Sequence, residues 1–243
     1  MRLRLELAIV FALSLGKSAA YSVVALIAAL TSPKGLGGSS VTINESLSSR
    51  PWLDVTYQLL GTGFSLVPVA LCLFLLSAYG NPFARIGFGA RPIYKNVWQG
   101  FALAAVIGLP GLALYFGARQ LGLSAQIVTS DLGADWWTIP VLLFSAIGAA
   151  LLEEVVVVGY LFDRLQKLGR GRWPTIFISA AIRGSYHLYQ GFGGFIGNFA
   201  MGIVFGWAYR KFGRLTPLVI AHFILDAISF LGYAWAKTFI GWL

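Results

Sequence analysis

Apolar residues run in seven long stretches along the chain, at roughly 5–31, 53–79, 97–117, 136–163, 173–189, 194–209 and 215–236. A helix needs about 20 such residues to cross a ~30 Å hydrocarbon core. Lipid offers the backbone no hydrogen-bonding partner, so segments of this kind cross as helices. The pattern predicts an all-α, polytopic transmembrane helix bundle of about seven spans. Between them, residues 32–52 form the one long polar loop, rich in glycine and serine, and a second, mildly polar segment covers about 118–135.

Composition agrees. Of 243 residues, 58% are hydrophobic and 11% charged, far from the balance of a soluble domain. Nothing is left over for one, so 1–243 is read as a single membrane-embedded domain. The opening residues resemble a secretory signal, with Arg2 and Arg4 ahead of an apolar run. Lys17 interrupts that run, which resumes through Leu30, so the segment is read as a retained span. The single cysteine, Cys72, excludes an intrachain disulfide and reads as core.

A net charge of +9 would suggest nucleic acid in a soluble protein, but its distribution follows the spans. Arg2 and Arg4 precede the first span; Arg85, Arg91 and Lys95 follow the second; Arg164, Lys167, Arg170 and Arg172 the fourth; Arg210, Lys211 and Arg214 the sixth. The other side collects only Lys34, Arg50, Arg119 and Lys237. Basic loops stay in the cytoplasm, which predicts a multi-pass cell-membrane protein with its N-terminus cytoplasmic and its C-terminus outside. The charge is topology, and no nucleic-acid partner is expected. Trp52, Trp98, Trp136, Trp137, Trp173 and Tyr209 fall near span ends as an interfacial belt. Gly193, Gly197, Gly202 and Gly206 suit close helix packing.

Ionisable residues inside spans change the picture most, since each costs on the order of 2.5–3.5 kcal/mol near mid-bilayer on insertion scales. They are Glu6, Lys17, Glu153, Glu154, Arg183, His187, His222 and Asp226, with six of the eight in the last 91 residues. Glu6 is expected near a membrane face and solvated. Lys17 reads as a structural ion-pair partner or an accessory group. Counting from the cytoplasmic ends at ~1.5 Å per residue puts Glu153, His187, His222 and Asp226 roughly 10–21 Å deep, so one shared pocket is reachable. His222 and Asp226 are four apart and share a helix face, as do Arg183 and His187. Glu153 and Glu154 diverge by ~100° around their helix, so their roles should differ. A carboxylate at this depth must take up a proton or find a cation, and Arg183 is the candidate charge partner.

These residues resemble the motifs of the CPBP family, the CAAX-protease and bacteriocin-processing (Abi) intramembrane proteases. That family carries Glu-Glu-x-x-x-Arg on one span, Phe-x-x-x-His on a later one and His-x-x-x-Asn or His-x-x-x-Asp on a third. Glu153 and Glu154 match the first, His187 the second, and His222 with Asp226 the third, in order, over a core of about 136–236. The family commonly has eight spans, so an eighth is compatible. Val158 stands where the first motif has arginine, and Arg183 where the second has phenylalanine. The two changes are read as compensating, with the cation supplied from the neighbouring helix.

The resemblance implies an intramembrane endopeptidase acting on a peptide or membrane-anchored protein. Such a reaction needs an activated water, a base and an oxyanion-stabilising charge. Glu153 is the candidate base and Glu154 the partner of Arg183. His187 and His222 either hold zinc with Glu153, leaving an open position for water, or act without metal on the water and the oxyanion. The sequence lacks the HExxH spacing of a zinc protease helix. Two readings of other classes remain: a catalytically silent membrane partner or scaffold, and a transporter, whose inverted repeats and matched broken helices are not visible.

Overall fold

The computed structural model describes residues 2–89 and 91–239, with side chains to residue 232. The elements in chain order are α1 (Arg2–Ala12), α2 (Leu15–Thr31), β1 (Ser40–Asn44), α3 (Pro51–Ser65), α4 (Val67–Ser77), the short α5 (Pro82–Arg85), α6 (Ile93–Gln120) and β2 (Gln126–Ser130). They continue with α7 (Thr138–Glu153), a π-helical segment (Glu154–Tyr160), α8 (Leu161–Lys167), α9 (Arg172–Ser185), a 3₁₀ turn (Leu188–Gln190), α10 (Phe192–Phe212) and α11 (Thr216–Phe239). Lys237, counted with the outer side, lies outside the described side chains.

A helical bundle results, with differences in its spans. Among the described residues, four helices are long and apolar enough to cross a membrane: Pro51–Ser77, Ile93–Gln120, Thr138–Lys167 and Phe192–Phe212. The pair α1 and α2, bent by 54° at its break, adds a fifth if it is one span. The stretch expected to cross over 173–189 does not do so as one helix. α9 has 14 residues, about 21 Å of rise, and ends at Ser185. The chain then passes through His187 and the 3₁₀ turn to Gly191, whose φ of 98° and closeness to the Leu123 carbonyl exclude a side chain.

The two outer segments, expected as loops, pair instead. β1 and β2 form a parallel two-stranded ribbon with Ser40 opposite Gln126 and Asn44 opposite Ser130. Parallel strands need a long crossover, and here residues 45–125 supply it with four helices. The buried Asn44 locks the ribbon to the bundle: its amide donates to the Thr129 carbonyl and its Oδ1 accepts from Ser145 on α7. The ribbon also ties to the α9–α10 connection, where Ala125 N–H donates to the Gln190 carbonyl.

The central rod is α7–π–α8. In its most apolar stretch 61% of residues are buried inside the protein, against 17–28% in the other three crossing helices, so the rest of the bundle packs around it. α9 and α10 approach closely at glycine: a Cβ on Gly202 would sit 2.7 Å from Ala180 Cα. Of the expected belt, Trp136, Trp98, Trp52 and Trp173 are exposed, whereas Trp137 is buried in the core.

Two ionisable residues assigned to the membrane faces belong to one network. Arg164 is fully buried; it donates to Glu6, to Asp163 and to the Leu75 carbonyl, and Tyr160 O–H donates to Glu6. Glu6 is therefore bonded rather than merely solvated, and Arg164 knits α1 and α4 to α8. Lys17 is exposed and has no ion pair among the described residues.

Candidate functional site

Four valines in a row, Val155–Val158, follow the paired glutamates. β-Branched side chains crowd the preceding helical turn, and here the helix widens to the i→i+5 pattern over Glu154–Tyr160. Such turns are rare and occur frequently at functional sites. α9 supports this one: the Ser179 hydroxyl donates to the Val157 carbonyl at 2.9 Å.

Arg183 projects from α9 toward the widened turn. Its fork divides between the two carboxylates, Nη1 donating to Glu153 Oε2 at 2.9 Å and Nη2 to Glu154 Oε1 at 2.7 Å. One planar guanidinium reaches both glutamates because its two donors are set apart in a fork. The expectation that Arg183 pairs with Glu154 alone is corrected: it pairs with both. Val158, at the motif's arginine position, is fully buried among apolar neighbours.

α11 completes the cluster. His222 Nδ1 lies 2.7 Å from Glu154 Oε1, while its Nε2 is 3.5 Å from Asp226 and 4.0 Å from Glu153 Oε2. His187, just past the end of α9, stands with Nε2 3.8 Å from Glu153 Oε1, beyond hydrogen-bonding distance. Its ring packs between those of Tyr186 and Tyr189, with centroids 4.8 and 6.2 Å away. All six residues singled out in the sequence thus come together from three separate segments.

Access is graded. Side-chain exposure falls from 25% at Asp226 through 16% at His187, 11% at Glu153 and 7% at His222 to zero at Glu154 and Arg183. Glu154 and Arg183 form a sealed floor. Glu153, His187 and Asp226 are the partly exposed members, and both ring nitrogens of His187 are buried.

A zinc ion held by Glu153, His187 and His222 would need their donor atoms closer together than they are. Ligands about 2.0–2.1 Å from a tetrahedral ion lie roughly 3.3 Å from one another. The nearest Glu153–His187 and Glu153–His222 separations are 3.8 and 4.0 Å, and Glu153 Oε2 already touches the Arg183 cation. Among the described residues no group of three or more histidine, cysteine, aspartate and glutamate side chains is arranged to hold a metal ion. As they stand, Glu153, His187 and His222 do not fit zinc.

The matched segment covers this whole cluster. Residues 135–228 match the family model of the type II CAAX prenyl endopeptidase Rce1-like proteins. The similarity covers this segment and not the rest of the chain. The match agrees with a CPBP-family intramembrane protease, the family its motifs resemble. No curated protein and no solved structure matches the chain.

Two contributors escaped the sequence reading. Tyr186 O–H donates to Glu153 Oε2 at 2.7 Å, and Ser22 on α2 donates to the Tyr186 carbonyl at 2.8 Å. Tyr186 stands next to His187, which was the one available signal. Nothing in the sequence connects Ser22 with a residue 164 positions away.

Proposed function

We propose that the chain is an intramembrane endopeptidase that hydrolyses a peptide bond near the membrane, with 1–243 acting as one membrane-embedded unit and the chemistry in about 136–236. The observation that carries this reading is the convergence of Glu153, Glu154, Arg183, His187 and His222 within the Rce1-like segment, with a slightly exposed carboxylate beside an imidazole.

In this reading Glu153 is the general base. It takes a proton from a water held between it and His187 as that water's oxygen attacks the scissile carbonyl carbon. The new C–O bond leaves a tetrahedral oxyanion, which His222 stabilises through Nε2, its Nδ1 being held by Glu154. Glu153 then returns the proton to the amide nitrogen as the C–N bond breaks. Arg183 keeps both glutamates ionised in an apolar interior. Asp226 orients His222. No step is routed through zinc, and zinc content measured on purified wild type and H187A decides whether the protein carries it.

The test is cleavage in proteoliposomes of a quenched-fluorescent peptide ending in Cys-aliphatic-aliphatic-X, offered farnesylated and unmodified. Wild type should cleave at least one, and E153Q should lose about 10²- to 10⁴-fold. Equal rates for the two proteins would overturn Glu153 as base. Cleavage of neither peptide, with E153Q retaining the biological phenotype, would favour a membrane partner or scaffold. The N-terminus is placed in the cytoplasm and the C-terminus outside on the distribution of basic residues; residues 240–243 lie outside the described structure.

A further inference from the structure

The two oxygens of Glu153 have unequal surroundings. Oε2 accepts from Arg183 Nη1 at 2.9 Å and from the Tyr186 hydroxyl at 2.7 Å. Oε1 accepts no hydrogen bond among the described residues and faces His187 Nε2 across 3.8 Å. Two charge-assisted donors from one side fix the plane of a carboxylate, which otherwise rotates about its last torsion. Only one oxygen is left to meet a reactant, and it is the one that faces the imidazole.

We infer that Tyr186 is a positioning residue: with Arg183 it clamps Glu153 Oε2 so that Oε1 alone faces His187 and works on the water. This rests on the reading of Glu153 as base. Tyr186 is itself held at two points. Its ring packs against His187, and its carbonyl accepts from Ser22, a buried serine on α2 outside the Rce1-like segment. One residue therefore sets the base, borders the facing imidazole and carries the first membrane helix pair into the site. The segment from Arg183 to His187 can hold this geometry because α9 ends there: Tyr186 N–H still donates to Ile182, while His187 N–H donates to Gly184 in a tighter turn. A continuous helix would rotate His187 away from Tyr186 by ~100°.

Y186F removes only the hydroxyl and keeps the ring. On the peptide that wild type cleaves, kcat should fall about ten- to hundredfold, because a rotating base spends less time in the productive pose, while KM stays unchanged. S22A frees the Tyr186 backbone and should give a smaller kcat loss with KM also unchanged. An unchanged kcat in Y186F alongside an inactive E153Q overturns the clamp but not the base; an active E153Q overturns the base itself. A readout without turnover separates the clamp from activity altogether. Infrared carboxylate-stretch bands that disappear in E153Q belong to Glu153, and they should shift in Y186F. Bands that stay in place would show that the hydroxyl does not hold Glu153.

Discussion

Arg183 carries an unusual share of this molecule's electrostatics, since both buried glutamates rely on one guanidinium with no exposure of its own. Removing one partner of a buried ion pair is far costlier than the pair is worth, because the remaining charge loses its compensation. R183A should therefore destabilise the protein by about 3–5 kcal/mol, read as a lowered unfolding midpoint in detergent. R183K keeps the charge but loses the fork that spans two carboxylates, so its loss should lie between wild type and R183A. A neutral R183A would mean that the glutamates are already protonated. These residues were visible in the sequence because ionisable groups are rare in apolar stretches and costly there. Their partners were less so. Which nitrogen meets which oxygen depends on side-chain directions, and Tyr186, an ordinary aromatic by composition, acquires its role only through its hydroxyl's position.

The helices bring those side chains together through close packing at glycine and through two irregularities. Gly202 and Gly197 share a helix, each in its own small-xxx-small pair, yet their surroundings differ. A Cβ at Gly202 would press on the backbone of Ala180 at 2.7 Å, whereas one at Gly197 would only touch Leu114 at 3.4 Å. G202A should push α9 outward, lose about 1–3 kcal/mol of stability and displace Arg183 and His187, with activity falling accordingly. G197A should be neutral or slightly stabilising, since alanine is the better helix former. Unfolding midpoints and cleavage rates of the two variants check this. The sequence pattern found most of these helices but missed the widened turn at Glu154–Tyr160 and the early end of α9. Hydropathy averages over a window, and both features are one-turn events. Four consecutive valines were the local sign of the first, whereas the second left the apolar run around it unbroken.

Taken entire, the molecule packs α3, α4, α9 and α11 against a central rod that carries the glutamates, with α6 lying on α11 and α10. Several of the basic residues meet in space, with Arg85 and Lys167 at Asp163, Arg210 at Gln166 and Arg214 at Asn96 and Gln99, while Arg164 belongs to a buried network rather than to a loop. Single cysteines placed at Arg170 and at Ser46 in a C72S background should label from opposite sides of the membrane, Arg170 from the cytoplasm. Labelling of both from one side would overturn the orientation. The ribbon was not legible because its strands are five residues each and lie 81 residues apart, joined by a crossover that no local pattern reveals. Its anchoring of residues 124–125 against Gln190 and Gly191 holds the connection that starts at His187.

By itself the sequence determined that this is a membrane-embedded helical protein, and which few ionisable residues lie where water is scarce. Hydropathy and the cost of burying charge belong to residue types and add up along a chain, so they can be read in one dimension. Only the folded structure decided that Arg183 serves both glutamates, that α9 stops at the site, and that Ser22 and Tyr186 reach it from outside the motifs. Those facts are distances of a few ångströms between segments remote in sequence, and helix packing alone sets them.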